Sequence, residues 1–200
     1  MRRVLIGFLL LIISTTSIAQ GKLVRREFMA ASLQNNKADE DPLRQLTVYL
    51  PPDYEQGTQR YPVIYVLHGY GGTDSVMMSV WINFKKLLDE AIKTGKMRPM
   101  IVVAPNSTTK LQGSFYTNSS VTGNWADYIA KDVVQHFNNR GYKGKAMFVA
   151  IDKVTAVKMY DLISEEWEIY LQNKKKEIDK ISDLQEQLSE QRAYDWAKDT

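Results

Sequence analysis

The chemistry in this chain is most legible at His68-Gly69-Tyr70-Gly71-Gly72. Tyr61 to Leu67, a run of apolar, mostly β-branched or aromatic residues, leads into it. This pattern predicts a buried strand that runs straight into a glycine-rich turn. Glycines at 69, 71 and 72 let the backbone bend sharply and approach a substrate closely. Such a turn can aim backbone N–H groups at a developing negative charge, as acyl transfer requires at its tetrahedral intermediate. A tight structural turn after a buried strand is the plainer alternative.

Acyl transfer also needs a nucleophile, a base to take its proton and a carboxylate to orient the base. The 200-residue chain contains no cysteine, so thiol nucleophiles, disulfides and thiolate metal sites are excluded. It has only two histidines, His68 and His136, which argues against a multi-histidine metal site and limits the choice of base. No cofactor is expected. The net charge is +3, including Arg2 and Arg3, and no nucleic-acid partner is expected on that balance.

The elements that must position the turn are readable on either side of it. Met1 to about Gln20 has the parts of a secretory signal: Arg2-Arg3, an apolar core from Val4 to Ile13, and the small residues Ser17-Ile18-Ala19. Cleavage after Ala19 implies a secreted or periplasmic protein with no membrane attachment; an uncleaved anchor is the alternative. Lys22 to Phe28 reads as an edge strand. Leu43 to Leu50 alternates as a strand does, and Pro51-Pro52 ends it.

Ser75 to Lys93 is predicted helical, with Val76, Val80, Leu87, Leu88, Ala91 and Ile92 on one face and Gly95 as its C-terminal cap. Met100 to Ala104 is a fully apolar strand. Ser107 to Gly123 reads as a long polar loop. Its sequons, Asn106-Ser107-Thr108 and Asn118-Ser119-Ser120, serve only as loop signals. Trp125 to about Asn138 is the next helix. Strand, helix, strand with short connections predicts an α/β fold with a parallel sheet.

From about Leu46 to Val134 the chain resembles the esterase D and feruloyl-esterase-like branch of the α/β-hydrolases. The matching pieces are Val48-Tyr49-Leu50-Pro51-Pro52-Asp53-Tyr54, Tyr61-Pro62-Val63, and Leu67-His68-Gly69-Tyr70-Gly71-Gly72. They continue with Arg98 to Asn106 and Gly123-Asn124-Trp125-Ala126-Asp127-Tyr128-Ile129. The resemblance implies a partial α/β-hydrolase-like sheet with flanking helices and a secreted serine esterase. Its partner would be an acyl-ester small molecule or a carbohydrate ester. Gly69 and Tyr70 would supply the oxyanion N–H groups, with His68, Gly71 and Gly72 supporting the loop. The catalytic base of that family lies near the C-terminus, so His68 positions the turn and does not take the proton.

In that family the nucleophile follows the next strand, in G-x-S-x-G at a strand-to-helix elbow. Here the next strand is Ala146 to Ile151, followed by Asp152-Lys153-Val154. No G-x-S-x-G occurs anywhere in the chain. Asp152 is a candidate nucleophile by position, but Lys153 and Val154 are too large for so crowded a turn. His136 falls on a helix before this strand and reads as a surface residue.

From about residue 131 the chain changes character. Lys131 to Gly141, Gly144 to Lys153 and Thr155 to Asp161 resemble the motor subunit of type I restriction enzymes, up to about Trp167. Gly144-Lys145-Ala146 lacks the upstream glycine and the hydroxyl residue of a phosphate-binding loop. Ile163 to Thr200 reads as a long, charged C-terminal helix. Its apolar face normally packs on another domain, although helix-mediated self-association also fits.

Three domain-level segments are therefore expected: a signal peptide over 1–19, the N-terminal part of an esterase domain over 20–130, and a strand plus long helix over 131–200. Three functional readings follow. The chain is a truncated or chimeric esterase, inactive without its serine and base; or a hydrolase with an unrecognised nucleophile; or a non-enzymatic binding protein. A sheet that ends early leaves an open edge, so marginal stability and aggregation are expected.

Overall fold

The computed structural model describes residues 20–57, 59–133, 146–149 and 153–198. A five-stranded sheet in the order β1-β2-β4-β3-β7 forms its centre. The strands are β1 (Lys22–Met29), β2 (Leu43–Leu50), β3 (Val63–Val66), β4 (Ile101–Pro105) and β7 (Ala146–Val149). β5 (Asn118–Ser119) and β6 (Gly123–Asn124) make a small separate hairpin. That hairpin lies within the stretch expected to be a long loop.

The sheet is mixed. β4, β3 and β7 run parallel, whereas β1 pairs antiparallel with β2, and β2 antiparallel with β4. The expectation of a parallel sheet therefore holds for the three strands nearest the glycine turn. The first two strands pair without a crossover helix, which an antiparallel register allows.

Both faces of the sheet are covered. Ile101 and Val103 of β4 and Val63 and Tyr65 of β3 pack in one core with Trp125, Tyr128, Ile129, Val133 and Met159. Val102 and Ala104 face the opposite way, into a core with Met77, Met78 and Leu88. All of β4 is buried. Its unbroken apolar run is what a strand covered on both faces requires.

The helix predicted over Ser75–Lys93 is two pieces. α1 (Asp74–Val76) continues into a π-helical segment, Met77–Trp81, and α2 (Phe84–Lys93) follows. Asn83 breaks the run with φ 43°, and its side chain accepts from the Lys86 N–H at 3.3 Å. The break resets the helical phase. Leu88 is buried, but Val80 and Leu87 are exposed, contrary to the single face read from the sequence. Gly95 has φ +69°, in keeping with its capping role.

α3 (Trp125–Asp127) also widens into a π-helical turn, Tyr128–Val133. Asn118 caps it from the β5–β6 hairpin, accepting from the N–H groups of Ala126 and Asp127 at 3.0 and 3.1 Å. The end of this predicted helix, His136 and Asp152 lie outside the described residues, as does the predicted signal segment.

The single long C-terminal helix is instead an antiparallel hairpin of α4 (Lys153–Ile178) and α5 (Leu184–Lys198). Lys174 reaches Glu190 at 2.9 Å and Lys175 donates to Gln191 at 2.7 Å. Ile181 lies in the connection between the two helices. Part of the apolar side of α4 packs within this chain, whereas Val154, Val157, Tyr160 and Ile169 are exposed. Met159 is fully buried in the core beside the sheet, with Leu162 and Ile163 against it. Lys131 and Glu166 pair across the same junction at 3.3 Å.

Candidate oxyanion turn and its supports

β3 delivers the chain into the turn at Leu67, whose N–H still pairs with Val149 O of β7 at 3.2 Å. The turn then folds back on itself. Gly72 N–H donates to Gly69 O at 3.0 Å, and Gly71 N–H donates to Gln112 O at 2.9 Å. Gly71 adopts φ +71°, a conformation that favours glycine. A Cβ at Gly72 would lie 3.0 Å from Gly69 O. Two of the four N–H groups from 69 to 72 are therefore consumed inside the loop system. Among the described residues, no hydrogen bond takes up those of Gly69 and Tyr70.

His68 is buried, at 3% exposure, and both ring nitrogens are engaged. Nε2 accepts from the Ser107 N–H at 3.0 Å, and Nδ1 lies 2.9 Å from Gly69 O. A carbonyl oxygen only accepts, so Nδ1 carries the proton and the ring is neutral. Burial pushes the His68 pKa down, helped by Arg44 and opposed by the Gly69 carbonyl and Asp74. A ring held this way cannot collect a proton from a nucleophile. It ties the turn after β3 to the loop after β4.

Ser107 is the serine that touches His68, and its side chain is 1% exposed. Contact is through its backbone N–H, so the pair lacks the hydroxyl-to-imidazole geometry of a nucleophile and base.

The loop after β4 is fastened from several sides. Thr108 Oγ1 donates to Gly72 O at 2.6 Å. Arg44, at the start of β2, donates to Asn106 O at 3.2 Å and to Thr108 O at 2.8 Å. Its guanidinium also lies 4.9 Å from the Trp125 ring centroid, a cation–π distance. Tyr116 donates its hydroxyl to His68 O at 2.6 Å, and burial raises the pKa of that phenol. On the opposite side of β2, Thr47 Oγ1 donates to the buried Asp74 at 2.5 Å.

Sequence reasoning named the turn residues but not these supports. Ser107 and Thr108 were visible only as loop residues, and Arg44 and Tyr116 carried no signal, because partners separated by 36 to 64 positions share no local pattern. Among the described residues, no group of three His, Asp or Glu side chains is placed to hold a metal ion.

The arrangement is a glycine turn at the end of a parallel strand, braced by a neutral histidine, with two backbone donors left over. The Esterase family model matches residues 42–146, which include the turn and all of its supports. The chain belongs to the Esterase family.

A curated relative of this esterase chain is endo-1,4-beta-xylanase Y from Acetivibrio thermocellus, 36% identical over 62 residues. That stretch is 31% of this chain and 6% of the relative. Among solved structures, a ferulic acid esterase superposes with a TM-score of 0.54 at 22% identity, covering 65% of this chain and 50% of its own. The feruloyl esterase module from Clostridium thermocellum complexed with sinapinate gives 0.47 at 23% identity, covering 64% and 38%. The chain thus spans half or less of the length of these relatives. The ferulic acid esterase supports the mixed α/β fold with flanking helices.

Proposed function

We propose that this chain carries the oxyanion half of a carboxylic-ester site, shaped for small acyl esters or esters of carbohydrates. One observation carries the reading. The turn uses the N–H groups of Gly71 and Gly72 internally and leaves those of Gly69 and Tyr70 without a partner among the described residues. Backbone amides left over at a turn braced by His68, Tyr116 and Thr108 are preorganised donors for an oxyanion.

Binding without turnover is the expected behaviour. The chain has no G-x-S-x-G serine, His68 is committed to structural hydrogen bonds, and a large residue follows Asp152 on its C-terminal side. Titration of purified, 15N-labelled residues 20–200 with sodium acetate tests the site. Selective shifts of the Gly69 and Tyr70 amides are expected, with negligible hydrolysis of a chromogenic acetate. Uniform or absent shifts would sink the oxyanion assignment. Hydrolysis that disappears in Asp152→Asn would overturn the inactive reading.

The chain is further proposed to be exported through residues 1–19 and to join an esterase segment to one resembling the type I restriction motor near residue 130. The support is the sequence pattern: a signal-like N-terminus, and a change of resemblance within Asp127 to Val134. Re-sequencing the locus across codons 120–145 tests the join. An uninterrupted esterase frame with G-x-S-x-G downstream would remove it.

A further inference from the structure

Arg44 and Asp74 are both buried, at 9% and 2% exposure. Among the described residues neither forms an ion pair. Arg44 donates only to neutral oxygens, those of Asp41, Asn106 and Thr108, and its Nε has no partner among the described residues. Asp74 accepts from the Thr47 hydroxyl. Taking a charge out of water is costly, so buried charges are ordinarily paired. These two have opposite signs and are kept apart.

The sheet separates them. Side chains alternate along a strand. Arg44 shares its side of β2 with Leu46 and Val48, toward the core that holds Trp125, and its guanidinium lies 4.9 Å from that ring. Thr47, which holds Asp74, shares the other side with Tyr49, toward the core of Met77 and Met78. The glycine turn meets both charges. Arg44 donates to Thr108 O, Thr108 Oγ1 donates to Gly72 O, and Gly72 N–H donates to Gly69 O, at 2.8, 2.6 and 3.0 Å. Asp74 follows Gly72 by two residues and opens α1. Both charges also reach the His68 ring. Burial lowers the pKa of that ring first; of the two charges, Asp74 then raises it and Arg44 lowers it.

We propose that Arg44 is the positioning residue that lets the turn accept an anion: its unpaired charge offsets the Asp74 carboxylate, whose field opposes negative charge at the Gly69 and Tyr70 amides. The proposal deepens the ester-site reading and rests on it for the place where the anion sits. A brace alone needs no charge. A neutral side-chain amide would hold the carbonyls of Asn106 and Thr108 without burying a cation and without an unpartnered Nε–H. A guanidinium that is buried, tied to the turn through Thr108 and matched to no carboxylate keeps its field for the site. Such fixed charges act more strongly in a water-poor interior than they do in solvent.

The acetate titration of the 15N-labelled protein, repeated with acetamide at matched ionic strength, tests this. Acetamide has the shape of acetate and no charge, so the ratio of the two affinities at the Gly69 and Tyr70 amides reads the field and not the fit. Arg44→Gln is expected to lower the acetate-to-acetamide ratio about five- to tenfold. Asp74→Asn is expected to raise it, and the double variant to bring it back near the native value. Arg44→Lys keeps the charge and should keep the ratio. Thr108→Val cuts the link between Arg44 and Gly72 and should weaken both probes together. Equal loss of both probes in Arg44→Gln would make Arg44 a structural brace like Thr108 and overturn the proposal. An unchanged or lowered ratio in Asp74→Asn would also overturn it, and that variant reads the same field if Arg44→Gln does not fold. Shifts absent with both probes in the native protein refute the oxyanion site and the proposal with it. Native shifts whose ratio neither substitution moves refute only the role of Arg44.

Discussion

The Nε2 of His68 accepts the backbone N–H of Ser107 at 3.0 Å, and this bond joins the two loops that build the candidate site. One residue lies just past β3 and the other just past β4, two parallel neighbours in the sheet. The bond therefore spans the ends of adjacent strands, where ligands of open α/β sheets bind.

His68→Ala should loosen both loops. It leaves the Ser107 N–H buried without a partner and frees the Gly69 carbonyl. A loss of about 2–4 kcal/mol is expected from the unpaired group and the cavity together. Urea unfolding of the purified protein measures it. A loss below about 0.5 kcal/mol would show that the ring braces nothing.

The same ring predicts a pH dependence. Its folded pKa is depressed below the ordinary value of 6.5 by burial. The unfolded chain therefore takes up the proton first as pH falls. The stability due to His68 is fully present above the unfolded value and is lost as pH falls from there through the folded one. Stability measured between pH 7.5 and 5 should fall more steeply in the native protein than in His68→Gln. Parallel slopes would contradict a neutral buried ring.

Gly71 and Gly72 should fail for different reasons. Gly71 has φ +71° but nothing within 4 Å of a would-be Cβ, so Gly71→Ala should cost only the conformational term of about 1–2 kcal/mol. Gly72→Ala drives a Cβ to 3.0 Å from Gly69 O, the oxygen that receives the His68 Nδ1 proton. Amide spectra should move at Gly69 and Ser107 in Gly72→Ala and stay nearly fixed at Ser107 in Gly71→Ala.

Met159 tests whether the C-terminal hairpin belongs to the same folding unit as the sheet. Its side chain is fully buried among sheet and helix residues. Met159→Ala should cost about 2–4 kcal/mol and lower a single unfolding transition. By contrast, Lys174→Ala should change stability by less than about 1 kcal/mol, because the Lys174–Glu190 pair is half-exposed on both sides and screened by solvent. Two separate transitions, with only the weaker one affected by Met159→Ala, would show that the hairpin folds independently.

The sequence by itself determined the strand that leads to Leu67, the apolar β4 strand and the glycine turn between β3 and α1. Each is a local pattern: side-chain alternation or an unbroken apolar run marks a strand, and clustered glycines mark a backbone that must bend. Family membership was also legible, because ordered short motifs survive as text. Tertiary structure decided the rest. The phase of the helix after the turn changed at Asn83, whose left-handed backbone no periodicity announces. The C-terminal helix folded back as a hairpin and docked Met159 on the sheet, because an apolar stripe shows what needs burial but not where. Above all, the partners of His68 came only from the tertiary structure. Ser107 is 39 positions away and Gly69 is adjacent, and only their joint geometry fixes the proton on Nδ1 of a histidine to which the resemblance already gave a positioning role.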